Sequence, residues 1–481
     1  VCEYTYPNGQ KCKRKPLKGS KYCSLHIPFE EGELLYGDKI REIKKRAFER
    51  TLERGVKTFE GVKLYDVVIL SKKIENPIIF KNSEIKRLII GNSQLSSLTI
   101  INSKVDSIIL ANSKISSLYI NKVDGYGVSI CSAEFTSAIL IRNSEIKYIL
   151  INSTRYERKE VTAEETFGEA GRIAGRIEIS NIKGVRRIAI NSRYPLLEII
   201  EKELGVKFDT KKKEYVRASI LNIRNIGFDE NPRFKRQIRV YINRFSGQLL
   251  IENSTVPGHV SIVNSRVKYP EFVHTTVLNN LIMRNSKFYS DENWNLSYLP
   301  NLLAELQVLG FIVIENSEFN NPYLAEVFYR IARTTWEASG DKEKADEYYY
   351  LEMLARRNRV LSHYKRGPKT VKKIFRLTEV FFEWMFADLT CKYGTDWKRP
   401  VFLWLGLVIF GFPILYAVTQ SIEPLNSPLD YVYFSIVTAT TLGYGDIHPT
   451  GVGKAIASAE AIFGMFMWAV FLTVFARKYM R

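Results

Sequence analysis

The sequence predicts a multidomain α+β membrane protein: a β-solenoid and a helical hairpin, then an all-α region of two membrane spans and one re-entrant helix. Three observations predict it. Asn-Ser pairs recur every ten residues from Asn82 to Ser113, over a finer five-residue period of aliphatics. Two apolar stretches follow far downstream, 401–418 without a charge and 455–476 with one, Glu460. Between them, 428–441 is apolar but too short to cross a bilayer, and two closely spaced glycines come next.

At 481 residues, the chain has room for about three domains. The net charge is +19, yet beyond Pro400 four bases (Lys454, Arg477, Lys478, Arg481) balance four acids (Glu423, Asp430, Asp446, Glu460). The whole excess therefore lies in 1–399. With spans downstream, an anionic membrane surface is its expected partner, and no nucleic acid is expected. The five cysteines are an odd set, three of them within the first 23 residues. That pattern suits a reducing compartment with one metal site, not a disulfide framework. Residues 1–30 lack the apolar core of a signal peptide.

Residues 1–28 carry Cys2, Cys12, Cys23 and His26, three thiolates and an imidazole ending in a Cys-x2-His knuckle. Four N/S ligands with no spare position describe a closed structural site. The segment resembles small Cys3His zinc modules, which implies structural Zn2+; metal or redox sensing is the functional alternative. Residues 29–59 are charged and expected as a helical linker.

From 60 to 320 the texture is periodic. Aliphatics sit at Ile85, Ile90, Leu95, Ile100, Val105, Leu110, Ile115 and Ile120. Two residues before each comes, alternately, a serine or a large aliphatic: Ser83, Leu88, Ser93, Leu98, Ser103, Ile108, Ser113, Leu118. A period of five fits neither a helix nor a plain strand, but a solenoid turning a corner every five residues. The pattern returns, broken, at Asn143-Ser144, Asn152-Ser153, Asn191-Ser192, Asn253-Ser254, Asn264-Ser265, Asn285-Ser286 and Asn316-Ser317. It resembles the pentapeptide-repeat family, which implies a right-handed quadrilateral β-helix. That family keeps a small residue where this chain often has a large aliphatic, so the match is to a degenerate variant. Charged insertions near 155–175, 195–216 and 227–240 are expected to project as loops or short helices.

Residues 321–367 read as a helical hairpin capping the solenoid, broken at Ser339-Gly340-Asp341. In 368–399, Ile374, Leu377, Phe381, Phe382, Met385 and Leu389 share one helical face flanked by Lys372, Lys373 and Arg376. This predicts an amphipathic helix in the membrane interface, then a linker.

Residues 400–481 hold the two spans. Lys398-Arg399 precede the first; Arg477, Lys478 and Arg481 follow the second. The positive-inside rule puts both termini in the cytoplasm and the link outside. A short helix entering from outside aims its partially negative C-terminal end at the membrane centre. Irregular backbone at that depth persists only where it lines a water or ion path. A column of carbonyl oxygens there can replace a cation's hydration shell if successive residues alternate in handedness. Gly443 and Gly445 allow the left-handed angles. Thr441 adds a hydroxyl, Tyr444 braces the strand, and Asp446 hydrogen-bonds behind it.

Thr440-Thr441-Leu442-Gly443-Tyr444-Gly445-Asp446 is similar to the signature of potassium channels, and the order of helices resembles their two-transmembrane class. The resemblance implies a homotetramer in the cell membrane. It makes Thr441, Leu442, Gly443, Tyr444 and Gly445 the K+ ligands, with Thr440 and Asp446 in support. It also gives Gly464 a role as the hinge of the inner helix; the alternative is close helix packing. Glu460 reads as a buried hydrogen bond to the short helix or a functional acid.

No enzyme is expected, since the five histidines are scattered with no nucleophile–base pair. No helix carries arginine every third residue, so control is expected from the N-terminal side, through 371–389, by an unknown ligand or protein. A poorly selective cation channel and a membrane-anchored solenoid scaffold remain the alternative functions.

Overall fold

Four five-residue sides return a chain to the same face every twenty residues, and the strand registers follow that arithmetic. In the computed structural model Glu84 pairs with Lys104 and Gln94 with Lys114, all parallel. The step becomes 21 where Lys63 meets Glu84 and Leu118 meets Ile139. The structure describes residues 1–152, 155–156, 175–190, 202, 216–229, 238–290, 305–366 and 371–479. They fall into two compact units, Val1–Ser339 and Gly340–Arg481. The expected insertions lie largely outside the described residues, as do Ser153, Asn191, Ser192, Arg481 and the side chains of Lys372 and Lys373.

The first unit is a large curled parallel sheet. Its corners explain the Asn-Ser repeat. Asn82, Asn92, Asn102 and Asn112 all have φ between +44° and +51°, a left-handed conformation that asparagine tolerates better than other side chains. Their amides form ladders: Asn102 Nδ2 donates to Asn82 Oδ1 at 2.5 Å, and Asn112 Nδ2 to Asn92 Oδ1 at 2.7 Å. The serine that follows turns inward. Ser103 Oγ donates to the Ile101 carbonyl at 2.8 Å and accepts the Ser83 amide at 3.1 Å, so the corner's polar groups stay paired in the core. Both aliphatic series are buried, Ile85 to Ile120 and the alternating Leu88, Leu98, Ile108 and Leu118.

The segment expected as a linker forms two helices, α1 (Phe29–Tyr36) and α2 (Lys39–Glu53). α2 packs on the strand Lys63–Leu70 and extends the core through Phe48, Phe59 and Phe80. Its Lys44 is buried and donates to the carbonyls of Ile27 (2.7 Å) and Lys63 (2.6 Å). Burial pushes this ammonium down to about 7. At the other end α3 (Pro322–Ser339) closes the last coil. Phe328 stacks on Phe319 at 5.7 Å, and Trp336 Nε1 donates to the Ile312 carbonyl at 2.9 Å.

The boundary between units falls between the two helices of the expected hairpin, so only α3 shares the sheet's unit. The second unit starts with α4 (Lys342–Arg366). α5 (Val371–Glu383) runs into a π-helical turn, Trp384–Leu389, and presents Ile374, Phe375, Phe381 and Phe382 to its surroundings. Then come α6 (Lys398–Thr419), α7 (Leu429–Ala439) and α8 (Gly453–Tyr479). α6 widens to a π-helix over Leu407–Gly411 just before Pro413, which has no amide to give the ladder.

Candidate functional site

α6 and α8 are each long and apolar enough to cross a membrane, and α7 is not. The link between the spans therefore holds a short helix with an irregular strand behind it. Pro428 precedes α7, and Asp430 in its first turn reaches back, its Oδ2 accepting the amides of Asn426 and Ser427 at 2.7 and 2.8 Å. It ends in a Schellman turn: Leu442 N donates to Val437 O and Thr441 N to Thr438 O, both at 3.0 Å. The left-handed residue of that turn is Thr441, with φ +60°. Glycine is usual there, and a β-branched residue in that region is an outlier.

From this point the backbone alternates. Thr441, Gly443 and Gly445 have φ of +60°, +59° and +81°, whereas Leu442 and Tyr444 stay outside the left-handed region. A Cβ on Gly443 or Gly445 would meet nothing within 4 Å, so the φ alone calls for glycine. Leu442 and Tyr444 are 59 % and 69 % exposed in the single chain. Thr440 Oγ1 donates back to the Ile436 carbonyl at 2.6 Å. Asp446 folds behind the strand, where Tyr433 on α7 donates its hydroxyl to Oδ2 at 2.8 Å. The sequence singled out Asp446 but not Tyr433; the signal was a tyrosine on the short helix within reach of the segment that follows it.

α8 meets α7 at Gly464. A Cβ there would sit 2.2 Å from the Ala439 carbonyl oxygen, so this glycine is where the two helices touch. One turn earlier, Glu460 is buried among Tyr416 of α6 and Ser435 of α7. Neither partner was singled out in the sequence. A serine inside an apolar helix and a tyrosine inside a span were the available signals.

The first unit brings together the other predicted residues. The ligand atoms of Cys2, Cys12, Cys23 and His26 lie within 4.8 Å of one another, and all four residues are buried. His26 Nε2 donates to the Glu60 carbonyl at 3.1 Å, which leaves Nδ1 facing Cys23 Sγ at 3.4 Å and Cys2 Sγ at 3.7 Å. An outer hydrogen bond that fixes the tautomer is usual for a metal-binding histidine. Burial pushes the His26 imidazole down to about 4, so its lone pair is free at neutral pH. The Cys23 amide donates to Cys2 Sγ at 3.2 Å. This cluster could bind a metal ion.

Residues 402–481 match the family model described as "Ion channel". Protein LctB of Geobacillus stearothermophilus is 34 % identical over 84 residues, 15 % of this chain and 63 % of that protein. Two pore potassium channel a of rice (Oryza sativa) is 39 % identical over 83 residues, 16 % of this chain and 24 % of that one. Potassium voltage-gated channel subfamily A member 6 of the mouse (Mus musculus) is 34 % identical over 71 residues, 14 % of this chain and 13 % of that one. The chain thus spans less than two thirds of the length of each of these relatives. No solved structure matches it. Two apolar spans, the short helix between them and these relatives agree: the C-terminal region is an ion channel pore domain related to those of potassium channels.

Proposed function

We propose that the chain is a subunit of a potassium-selective channel that conducts K+ passively through a tetrameric pore. The observation that carries this reading is the alternating backbone of Thr441 to Gly445 at the tip of a helix too short to span. In a fourfold ring the carbonyls of Thr441, Leu442, Gly443, Tyr444 and Gly445 would replace the water around K+. Thr440 and Asp446 support that strand from behind. The exposure of Leu442 and Tyr444 in one chain suits a site that other copies complete. The names of two relatives point to the same ion.

Lys398 and Arg399 in the first turn of α6, with Arg477 and Lys478 in the last turn of α8, favour cytoplasmic termini in the cell membrane. The apolar side of α5 fits the bilayer interface. The curled sheet is read as a pentapeptide-repeat-like right-handed solenoid that gates or assembles the pore on meeting its ligand or protein. Cys2, Cys12, Cys23 and His26 would hold Zn2+, whose role there is structural. Gly464 is the candidate hinge of α8.

The test is K+ against Na+ flux into liposomes holding the purified chain, with Ba2+ as blocker. Selective, Ba2+-sensitive K+ flux is expected. Equal Na+ flux would favour a non-selective cation channel. Absence of flux both in the full chain and after removal of 1–365 would favour a membrane-anchored scaffold.

A further inference from the structure

The Glu460 cluster has a definite hydrogen count. Ser435 Oγ lies 2.7 Å from the Val408 carbonyl and in hydrogen-bond contact with Glu460 Oε1. Tyr416 Oη lies 2.6 Å from Glu460 Oε2. A serine hydroxyl has one hydrogen, and two oxygens here face it.

The π-helical turn decides which of them receives it. The Phe412 amide, four residues after Val408, is taken by the Leu407 carbonyl. The residue five after Val408 is Pro413, which has no amide hydrogen. Val408 is buried, so its carbonyl depends on Ser435 for a donor. The Ser435 hydrogen is then spent, and the hydrogen between Ser435 and Glu460 must come from the carboxyl group. Tyr416, Ser435 and Glu460 are all buried, and no cation is paired with Glu460 among the described residues.

We infer that Glu460 is a neutral carboxylic acid that accepts from Tyr416, donates to Ser435, and so fixes α7 between α6 and α8. Each donor in the chain Tyr416–Glu460–Ser435–Val408 is used once. Ser435 lies six residues before Thr441, so the network sets where the tip of α7 delivers the alternating strand. Glu460 is then a positioning residue for the filter; this part rests on the channel reading, whereas its protonation does not. From α6 Glu460 is faced by Tyr416 and from α7 by Ser435, and no other titratable side chain hydrogen-bonds to it among the described residues.

The test uses the full chain in liposomes at neutral pH, with Glu460→Gln, Glu460→Leu and Ser435→Ala. Infrared spectroscopy should show a protonated-carboxyl C=O band that Glu460→Gln removes. Glutamine keeps one donor and one acceptor, so Glu460→Gln should conduct with the wild-type K+/Na+ ratio. Glu460→Leu keeps the bulk and loses both bonds; its ratio should fall about tenfold, as should that of Ser435→Ala. Absence of the band, or a Glu460→Gln as impaired as Glu460→Leu, would overturn the inference. If neither the wild type nor the chain without 1–365 conducts, the channel reading fails, and the infrared band still decides the state of Glu460.

Discussion

A threonine at φ +60° is costly, since a left-handed residue with a Cβ loses about 1–2 kcal/mol. Thr441 bears that cost because one backbone angle both closes α7 and starts the alternation of the strand after it. Glycine carries the same angle at Gly443 and Gly445 without the penalty. Gly443→Ala has open space for its methyl, so its cost is conformational, about 1–2 kcal/mol in each subunit. Selective K+ flux should be lost while the protein still purifies as the same assembly. Tyr433→Phe removes the hydrogen bond to the Asp446 carboxylate. It should shorten the time for which K+ flux persists after the pore opens, measured in the same liposomes. In the first unit Lys44 offers a pH test. Its folded value of about 7 lies below the ordinary 10.5, so between those pH values the unfolded chain holds more protons. Its burial penalty is complete below about pH 7 and is relieved as pH rises toward 10.5. Amide protection of α2 should therefore increase with pH through that window, and Lys44→Met should flatten the increase.

At the scale of the element, the five-residue period was legible because it is a burial pattern, and burial patterns are written in side-chain type. The ten-residue Asn-Ser period was visible too, but its cause was not. Left-handed corners, amide ladders and inward serines are properties of stacked coils, and a single coil shows none of them. Asn102→Ala should cost about 1–2 kcal/mol from backbone angle alone, seen as faster amide exchange in the coils around it, and Asn102→Gly should recover most of the loss. The tip of α7 was readable because glycine spacing states backbone angles directly. Tyr433, Ser435 and Tyr416 escaped because their partners lie on other helices, and one sequence holds no record of such pairings. Gly464 was open between hinge and contact. Alanine favours a helix over glycine by about 1 kcal/mol, so a position needing only helical backbone would accept it. The 2.2 Å approach to the Ala439 carbonyl predicts the reverse. Gly464→Ala should impair selective flux although it improves helix propensity.

At the scale of the whole molecule, the family match covers 402–481, and the contacts this region makes within its own unit offer one route to control of the pore. Arg477 makes polar contacts at the C-terminal end of α8. Arg477 Nη2 lies 3.2 Å from Asp346 Oδ1 of α4, and Nη1 donates to the Tyr393 carbonyl at 3.3 Å. The guanidinium also sits over the Tyr349 ring, 4.8 Å from its centroid. The turn it grips is tied to α4 a second time, through Arg357 and Asp388 at 2.6 Å. If the pore opens by movement of the inner helix ends, that movement must break or carry along the Arg477 contacts. Arg477→Gln and Asp346→Asn should each shift the open fraction of single channels in the same direction. The double variant should shift it no further than Arg477→Gln alone, because both changes remove one interaction. Additive shifts would mean that the two residues act separately, and that α4 does not hold the inner helix through this pair.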